Sequence, residues 1–391
     1  MKPHLGNSVT FDFIIAGAGC SGLSLAWHLL QYPELASARI ALIDPDPTPK
    51  NDKTWCFWIP ESIPTPIPFK KSWNNLDVFF PNSSKTLTLE NLSYHCISSE
   101  AYTQTLLDYL SKQANVNIIK AKIERIEENS ISVEVKTDQG VFSGGYCFKS
   151  FGNPSLQKST YPLLQHFGGW EIKTNTDVFD SSKATLMDFR VMKDGDAATF
   201  VYVLPYSDDS ALVEYTVFSD QVYSKERYDE EIKRYITTFL KLDEFDVERT
   251  EYGVIPMTDR LHSPNSGNRI IHIGTASGIP KASTGYAFSR IQRQAAALAK
   301  RMSEGKNPNI PEGSTFKYRF FDVLLLDILY HQKEHILSVF EALFHNNPPE
   351  RVLRFLDEQT SITEDLNIMA SVPPTPFLKA IVKNLTTLGS L

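Results

Sequence analysis

The stretch TFDFIIAGAGCSGLSLAWHLLQYPELASARIALID, residues 10–44, decides the fold of this chain. An apolar run from Phe11 to Ala16 is typical of a buried parallel strand, and the spaced apolar residues of the following segment indicate a helix. A second apolar run, Arg39 to Ile43, ends in Asp44. A G-x-G-x-x-G turn joins the first strand to the helix, with its glycines at Gly17, Gly19 and Gly22. This order of elements predicts a βαβ unit that binds a dinucleotide.

Each part of this unit has a physical role. Gly17 permits the tight turn, Gly19 lets a pyrophosphate approach the backbone, and Gly22 lets helix and strand pack closely. The phosphates are expected at the N–H groups of the helix start, and Asp44 lies where an acid can bind a ribose hydroxyl. A position near the N-terminus is common in FAD-binding chains, although this unit alone does not separate FAD from NAD. A glycine turn without a ligand is the alternative.

Composition narrows the class of protein. The chain has 391 residues, of which 42% are hydrophobic and 22% charged, so we expect a folded protein of about two domains. A net charge of -7 argues against non-specific nucleic-acid binding. Four scattered cysteines without a C-x-x-C favour a reduced, cytoplasmic setting. Neither a signal peptide nor an apolar run of about 18 residues is visible, so no spanning helix is expected.

The order of strand and helix patterns predicts an α/β fold in three parts. The first is a three-layer FAD-binding domain of Rossmann type, the second an antiparallel-sheet substrate domain, and the third an all-helical C-terminal region. Strands are expected at 185–191, 198–205 and 211–218, and a pair of strands at 140–151. The predicted boundaries are 1–70, 90–160 and 250–305 for the first part, 71–89 and 161–249 for the second, and 306–391 for the third.

A late segment is predicted to return to the first domain. The strand Arg269 to Ile273 enters a small-residue turn at Gly274 and Thr275, where many flavoproteins read Gly-Asp-Ala. Thr275 and backbone N–H groups are therefore expected to contact the cofactor in place of the missing acid. A long helical pattern follows and runs to about Ser303.

Several stretches together carry a resemblance to a known family. They are 13–29 (FIIAGAGCSGLSLAWHL), 51–58 (NDKTWCFW), 187–190 (MDFR), 200–205 (FVYVLP), 212–216 (LVEYT), 281–286 (KASTGY) and 352–358 (VLRFLDE). Over nearly its full length the chain resembles the FAD-containing lycopene cyclases, related to the plant and bacterial lycopene β-cyclases. The resemblance implies that lycopene and other acyclic carotenoids are substrates, that FAD acts in its reduced form, and that NAD(P)H supplies the initial reduction.

The resemblance also implies particular site residues. The catalytic motif of the family, Phe-Leu-Glu-Glu-Thr or Leu-Ile-Glu-Asp-Thr, stands here as residues 212–216, with Glu214 as the first acid and Tyr215 in place of the second. The late loop, His-Pro-Ala-Thr-Gly-Tyr in relatives, begins here with Lys281-Ala282. Its last three residues are expected to contact the flavin, with a plain helix-start turn as the alternative; they are Thr284, Gly285 and Tyr286.

The chemistry explains why an acid is required. Cyclisation adds a proton to the terminal C1=C2 bond, the C5=C6 bond attacks the cation, and loss of the C6 proton gives a β-ring without net electron transfer. A weakly basic alkene needs a neutral acid in a dry pocket, and burial raises the pKa of a glutamic acid. Strand alternation predicts that Leu212 and Glu214 share one sheet face, with Phe200, Tyr202 and Leu204 on a neighbouring strand. A surface or salt-bridged Glu214 is the alternative.

Other candidates keep two interpretations. Asp188 is a second catalytic candidate, but with Arg190 at i, i+2 it also suits a structural ion pair. Asp52 is a pocket acid or an ordinary turn residue. Two aromatic side chains are predicted either to stack on flavin or polyene or to pack in the core; they are Trp55 and Trp58. The H-x-x-E-H pattern at 331–335 matches a zinc-peptidase motif on one helix face, but no third ligand is evident, so no metal is expected.

A membrane surface is the last predicted partner, because lycopene resides in lipid. Residues 290–319 hold seven Lys or Arg against two Glu, and the apolar stretch Phe316 to Leu329 overlaps their end. A basic flank beside an apolar helix suits anionic headgroups, whereas a buried core helix is the alternative. Two rival functions stay open: an FAD-dependent oxidoreductase, such as a monooxygenase or isoprenoid reductase, and a non-catalytic flavin or carotenoid binder.

Overall fold

The computed structural model describes residues 10–59, 69–152, 159–193, 196–259, 267–309 and 315–385. The strands are β1 (Thr10–Ala16), β2 (Ile40–Asp44), β3 (Thr54–Ile59), β4 (Lys71–Trp73), β5 (Asn75–Phe79), β6 (Ser84–Thr88), β7 (Ser93–Ser98), β8 (Val116–Lys120), β9 (Ile123–Glu128), β10 (Val133–Thr137), β11 (Gly140–Lys149), β12 (Leu163–Lys173), β13 (Lys183–Asp188), β14 (Ala198–Ser207), β15 (Ser210–Ser219), β16 (Asp246–Met257) and β17 (Ile270–His272). The α-helices are α1 (Cys20–Leu29), α2 (Ser99–Leu110), α3 (Lys225–Tyr235), α4 (Phe288–Ser303), α5 (Phe316–His331), α6 (Ile336–His345), α7 (Pro349–Leu356), α8 (Ile362–Ser371) and α9 (Pro374–Lys383).

The first sheet is the predicted dinucleotide-binding scaffold. Its order is β8-β2-β1-β11-β10-β9, with β17 beside β11. The strands β8, β2, β1, β11 and β17 run parallel to one another. Helices α1, α2 and α4 pack on one face of the parallel strands. Side chains of the antiparallel strands β9 and β10, which continue the same sheet, pack on the other face of the parallel strands. The predicted three-layer arrangement and its β1-α1-β2 unit are therefore confirmed.

The prediction of two strands at 140–151 is wrong. Residues 140–149 form the single strand β11, which pairs with β1, β10 and β17. Gly144 and Gly145 lie inside this strand, where a Cβ on Gly144 would meet the Ile14 side chain at 2.9 Å. The glycines therefore serve a close approach between strands and do not form a turn.

The second sheet carries the predicted antiparallel strands. Its order is β16-β12-β15-β14-β13-β5-β6, and every pair is antiparallel except β5 with β13. Helix α3 packs on one face of this sheet. Helices α5, α6 and α7 pack on the other face, together with residues of a small sheet ordered β3-β7-β4. The second sheet thus lies between two helical layers, and one of these layers is the C-terminal region.

The apolar helix α5 is a core element. Val323, Leu326 and Leu329 are buried against the second sheet, so the core-helix alternative is correct for most of the stretch Phe316 to Leu329. The histidine prediction is also corrected, because α5 ends at His331 and a short 3₁₀ turn at 333–335 separates it from α6. The two histidines therefore do not share a continuous helix face. Among the described residues no helix is long and apolar enough to cross a bilayer.

Candidate active site

The glycine loop before α1 is shaped to receive phosphate. Gly17 has φ +106°, and a Cβ on Gly22 would meet the Gly17 carbonyl oxygen at 1.9 Å. A Cβ on Gly19 would meet nothing within 4 Å, and no described side chain caps the helix that starts after it. Asp44 Oδ2 accepts a hydrogen bond from the Ala18 amide at 2.8 Å and braces the loop. Open space above uncapped helix N–H groups fits an anionic ligand.

The late turn lies against this loop, as the sequence predicts. Strand β17 leads into a 3₁₀ turn at Gly274–Ser277, and a Cβ on Gly274 would meet Ser21 Oγ in α1 at 2.4 Å. The Gly274 amide donates to Gln294 Oε1 at 2.8 Å, which ties the turn to α4. Thr275, partly exposed, follows at the same turn. The two predicted cofactor segments are therefore adjacent in space.

The third predicted cofactor segment carries unpaired polar atoms. Thr284 Oγ1 and the Tyr286 hydroxyl are buried, and neither has a hydrogen-bond partner in the described part of the chain. Gly285, between them, donates its amide to the Lys281 carbonyl at 2.8 Å. Buried polar groups are nearly always hydrogen-bonded, so such atoms are expected where a ligand completes the site. These residues fit a bound cofactor or substrate.

Glu214 faces a small cavity of about 120 Å³. The register pairs Tyr202 with Glu214 and Leu204 with Leu212, which confirms the predicted strand face. The wall is mainly apolar and comes from the second sheet, the small sheet and the segment 285–288; it includes Trp55, Tyr94, Leu212, Ile255, Tyr286 and Phe288. An acid in such surroundings is poorly solvated, which favours its neutral form.

A second acid that the sequence did not reveal, Glu251, lies beside Glu214. Gly169 of β12 pairs with Glu214 on β15 and with Glu251 on β16. A Cβ on Gly169 would meet Glu251 Cγ at 3.2 Å and Glu214 Cβ at 3.4 Å. The two carboxyl side chains therefore share the space above a glycine on β12, the strand that lies between β15 and β16. The only local signal is the pair Gly168-Gly169 within a strand pattern, which marks a close approach without naming its partners.

Cations neutralise the neighbours of Glu214 but leave Glu214 itself unpaired. Arg249 Nη1 lies 2.6 Å from Glu251 Oε2 and Arg249 Nε lies 3.0 Å from Glu171 Oε2. Lys70 Nζ lies 2.6 Å from Glu171 Oε1. Two cations thus face two carboxylates, and within the described residues no Lys, Arg or His forms an ion pair with Glu214.

The pKa values follow this charge balance. Burial, and then the nearby carboxylate of Glu251, raise the pKa of Glu214 well above its usual range. Two causes act in the opposite direction: Thr216 Oγ1 donates to Glu214 Oε1 at 3.2 Å, and the positive charge of Arg249 favours the ionised form. Although burial alone would raise the pKa of Glu171, hydrogen bonds from Lys70 and Arg249 hold it below its usual range. Burial thus favours the neutral form of Glu214, whereas two cations stabilise the ionised form of Glu171.

The other candidate acids lie away from the cavity. Asp188 pairs in register with Val201, on the sheet face opposite Glu214. There it accepts hydrogen bonds from Arg190 Nε at 2.9 Å and from the Tyr235 hydroxyl at 2.7 Å. This geometry separates Asp188 from the cavity and favours its structural alternative.

Tyr215 and Asp52 also lie outside the Glu214 cavity. Tyr215 packs with the α3 cluster, so the second position of the family motif points away from the Glu214 cavity. Asp52 is exposed and pairs with Lys53 at 2.9 Å, as a turn residue would.

The two tryptophans lie on either side of the late loop. Trp55 lines the Glu214 cavity and stacks on Phe288, with ring centroids 5.9 Å apart. Trp58 packs edge-on against Tyr286, with centroids 4.7 Å apart. Trp55 can therefore contact a ligand, whereas Trp58 orients Tyr286. In the described part of the chain no three His, Cys, Asp or Glu side chains are grouped to hold a metal ion.

Comparisons with known proteins show the family to which this chain belongs. The profile of the family described as lycopene cyclase protein matches residues 12–382. The lycopene beta-cyclase of Pantoea ananas is 25% identical, and the match covers 99% of this chain and all of that protein. A chloroplastic neoxanthin synthase of Solanum lycopersicum is 26% identical over 76% of this chain, and the match covers 62% of its own length.

Solved structures show the same fold at low identity. A geranylgeranyl bacteriochlorophyll reductase-like protein of Thermoplasma acidophilum has a TM-score of 0.62 at 11% identity, covering 97% of this chain and 99% of that one. The halogenase PltM in complex with phloroglucinol and FAD has a TM-score of 0.58 at 10% identity, covering 89% and 82%. The fold is that of the FAD-dependent flavoproteins, and the family match over nearly the whole chain identifies this protein as a member of the lycopene cyclase family.

Proposed function

We propose that this protein is a lycopene β-cyclase, which converts acyclic carotenoid ends to β-rings by proton transfer. The observation that supports this most directly is the position of Glu214, which pairs with no described cation and faces a mainly apolar cavity beside Glu251, where burial raises its pKa. A proton donor for an alkene needs this environment, because solvation or a cation partner would keep its carboxyl ionised.

In the proposed mechanism Glu214 acts first as acid and then as base. It donates its proton to C2 of the terminal C1=C2 bond, and C1 becomes cationic. The C5=C6 pair then forms the C1–C6 bond and leaves the charge at C5. The Glu214 carboxylate now lies beside the Glu251 carboxylate, and this repulsion makes it a strong base for the C6 proton. Removal of that proton forms the C5=C6 bond of the β-ring and restores the neutral acid.

Glu251 and Arg249 have positioning roles in this proposal. Arg249 Nη1 pairs with Glu251 Oε2 at 2.6 Å, and Thr54 Oγ1 donates to the same Glu251 oxygen at 2.9 Å. The second Glu251 oxygen has no hydrogen-bond partner among the described residues, so it is available to the Glu214 proton. Asp188, on the opposite sheet face, has no part in the proton transfer that we propose.

FAD is the cofactor that we propose for the glycine loop. Gly17, Gly19 and Gly22 would hold its pyrophosphate, Asp44 its ribose, and the turns at Gly274–Thr275 and Thr284–Tyr286 its flavin part. When bound and reduced, FAD supplies a fixed anion that stabilises the positive charge during ring closure without net electron transfer. NAD(P)H is proposed as the source of that initial reduction.

We also propose that the protein works in the cytoplasm on a membrane surface, but through helices other than α5. All four cysteines are free thiols, which suits a reducing compartment. The helices α8 and α9 expose large apolar side chains, with Ile362 70%, Leu366 61%, Leu378 60% and Val382 70% exposed. Lys379 is exposed on α9 beside them. Apolar side chains flanked by a cation suit the headgroup region of an anionic bilayer.

A flotation assay tests this membrane contact. Wild-type protein is expected to float with liposomes that contain anionic lipid, and Val382→Ser on α9 is expected to weaken flotation. Val247→Ser on β16 is the matched control, because that exposed valine lies on the second sheet, away from α8 and α9. Equal flotation of both variants would contradict the proposed surface.

Expression in a bacterium engineered to accumulate lycopene tests the activity itself. We expect β-carotene, or γ-carotene if one end only is cyclised, when pigments are separated by chromatography. The purified holoprotein is expected to turn over without stoichiometric consumption of NAD(P)H, which separates a cyclase from an FAD-dependent monooxygenase or reductase. Unchanged lycopene with a folded, flavin-containing protein would overturn the cyclase proposal.

A further inference from the structure

A second cavity lies among the C-terminal helices. It has a volume of about 250 Å³ and is lined by side chains from α5, α6, α7, α8 and α9. Most of these side chains are apolar, and five are phenylalanines: Phe320, Phe321, Phe340, Phe355 and Phe377. An apolar cavity of this kind binds hydrocarbon more favourably than water, because water gains no hydrogen bonds there.

The polar groups on its wall are already neutralised. Lys281 is 3% exposed, and its Nζ lies 2.7 Å from Asp322 Oδ1 and 3.1 Å from Glu358 Oε1. Arg290 Nη1 lies 3.0 Å from the same Glu358 oxygen. Ser283 Oγ donates to Asp322 Oδ1 at 2.6 Å. Two cations thus face two carboxylates, and this wall offers no unbalanced charge to a fatty-acid or phosphate headgroup. The chemistry favours a neutral chain.

The cavity lies between the exposed helices and the late loop, residues 281–286, that borders the Glu214 cavity. Leu378 both lines the cavity and is largely exposed, so the cavity opens on the apolar side of α9. At its inner wall Lys281 and Ser283 belong to the segment whose next residues, Gly285 and Tyr286, line the Glu214 cavity. One six-residue loop therefore separates the two cavities.

We propose that this cavity is a binding site for a neutral isoprenoid chain taken up at the α8–α9 surface. If the proposed function is correct, that chain is the part of the carotenoid that is not at Glu214. The neutralised wall excludes lipids with ionised headgroups, and the phenylalanine side chains pack against a methyl-branched chain. The site thus selects the substrate class before the acid acts on it.

Cysteine protection by squalene, a neutral isoprenoid that needs no turnover, tests the site. Met369 on α8 lines the cavity, whereas Asn367 on the same helix is exposed and does not. Holoprotein carrying Met369→Cys or Asn367→Cys is alkylated with and without squalene delivered from cyclodextrin, with wild type as the blank for native thiols. At a squalene concentration about ten times its Kd, labelling of Met369→Cys is expected to slow about tenfold, and labelling of Asn367→Cys to stay unchanged.

Two results would overturn the proposal. One is equal labelling of Met369→Cys with and without squalene, repeated with Val372→Cys at a second lining position. The other is equal protection by oleate, which would make the site a general lipid pocket. Because squalene binding is measured without cyclisation, protection in a protein that fails to cyclise lycopene would reject the proposed activity and leave this site standing.

Discussion

Two charge clusters flank the late loop, and they differ by one carboxyl group. The cluster in the C-terminal region balances Lys281 and Arg290 against Asp322 and Glu358. The cluster at the second sheet balances Lys70 and Arg249 against Glu171 and Glu251, and then adds Glu214. In a balanced cluster each carboxylate is paired with a cation, so no carboxyl is in excess. Burial and the neighbouring Glu251 raise the pKa of the carboxyl in excess, Glu214, which favours its protonated form, and this is the proton that we propose for the cyclisation.

The largest expected effect is the loss of turnover in Glu214→Gln. The amide keeps the size of the side chain but has no acidic proton, so the cyclisation rate should fall by about 10²–10⁴-fold, the usual contribution of a general acid. Product formation from lycopene in liposomes, with reduced holoprotein, measures it. The flavin content should match wild type, and Glu248→Gln, an exposed acid on β16, should keep full activity. Turnover by Glu214→Gln would show that the extra carboxyl of the second cluster does not supply the proton for cyclisation.

A substitution in the balanced cluster should instead lower the unfolding free energy of the protein. Lys281→Met leaves Asp322 without its cation, and breaking a buried pair in this way costs about 3–5 kcal/mol of unfolding free energy. Urea denaturation of the holoprotein measures this, with the exposed Lys300→Met as control. The variant should still cyclise lycopene where it is folded. Unchanged stability would contradict the stabilising role of this cluster, and loss of turnover in folded protein would show that Lys281 also acts at the Glu214 site.

The sequence could predict what is encoded within a short stretch. The β1-α1-β2 unit lies within 35 residues, so its apolar pattern, glycines and terminal acid suffice. Glu214 follows from strand alternation and the family motif. Glu251 could not be found, because its approach depends on Gly169 pairing with strands that are 45 and 82 residues away. Helix α5 was ambiguous for the same reason, since its sequence does not say whether lipid or the second sheet covers its apolar side chains.

Substitution of Glu251 and of Thr216 should shift the pH dependence of the cyclisation rate in opposite directions. The active Glu214 is protonated, so the rate falls as pH rises through its pKa. Glu251→Gln removes a cause that raises this pKa, so the alkaline limb should move to lower pH. Thr216→Val removes a hydrogen bond that lowers it, so the limb should move to higher pH. A shift of one pH unit changes the rate on the falling limb about tenfold. Rate measurements across pH with both variants check this, and shifts of the same sign would contradict the assignment.

The smallest expected effect is a difference in how stability depends on pH. The pKa of Glu214 is raised in the folded protein, so its neutral form stabilises the fold most fully below the usual glutamic-acid pKa. That contribution is lost as pH rises towards the raised pKa, at up to about 1.4 kcal/mol per pH unit. Glu214→Gln cannot ionise and should lack this loss, so the unfolding free energies of variant and wild type should diverge with rising pH. Parallel curves of unfolding free energy across that pH window would mean that Glu214 is ionised in the folded state. The cluster at the second sheet would then hold no protonated carboxyl, and the difference between the two clusters would be disproved.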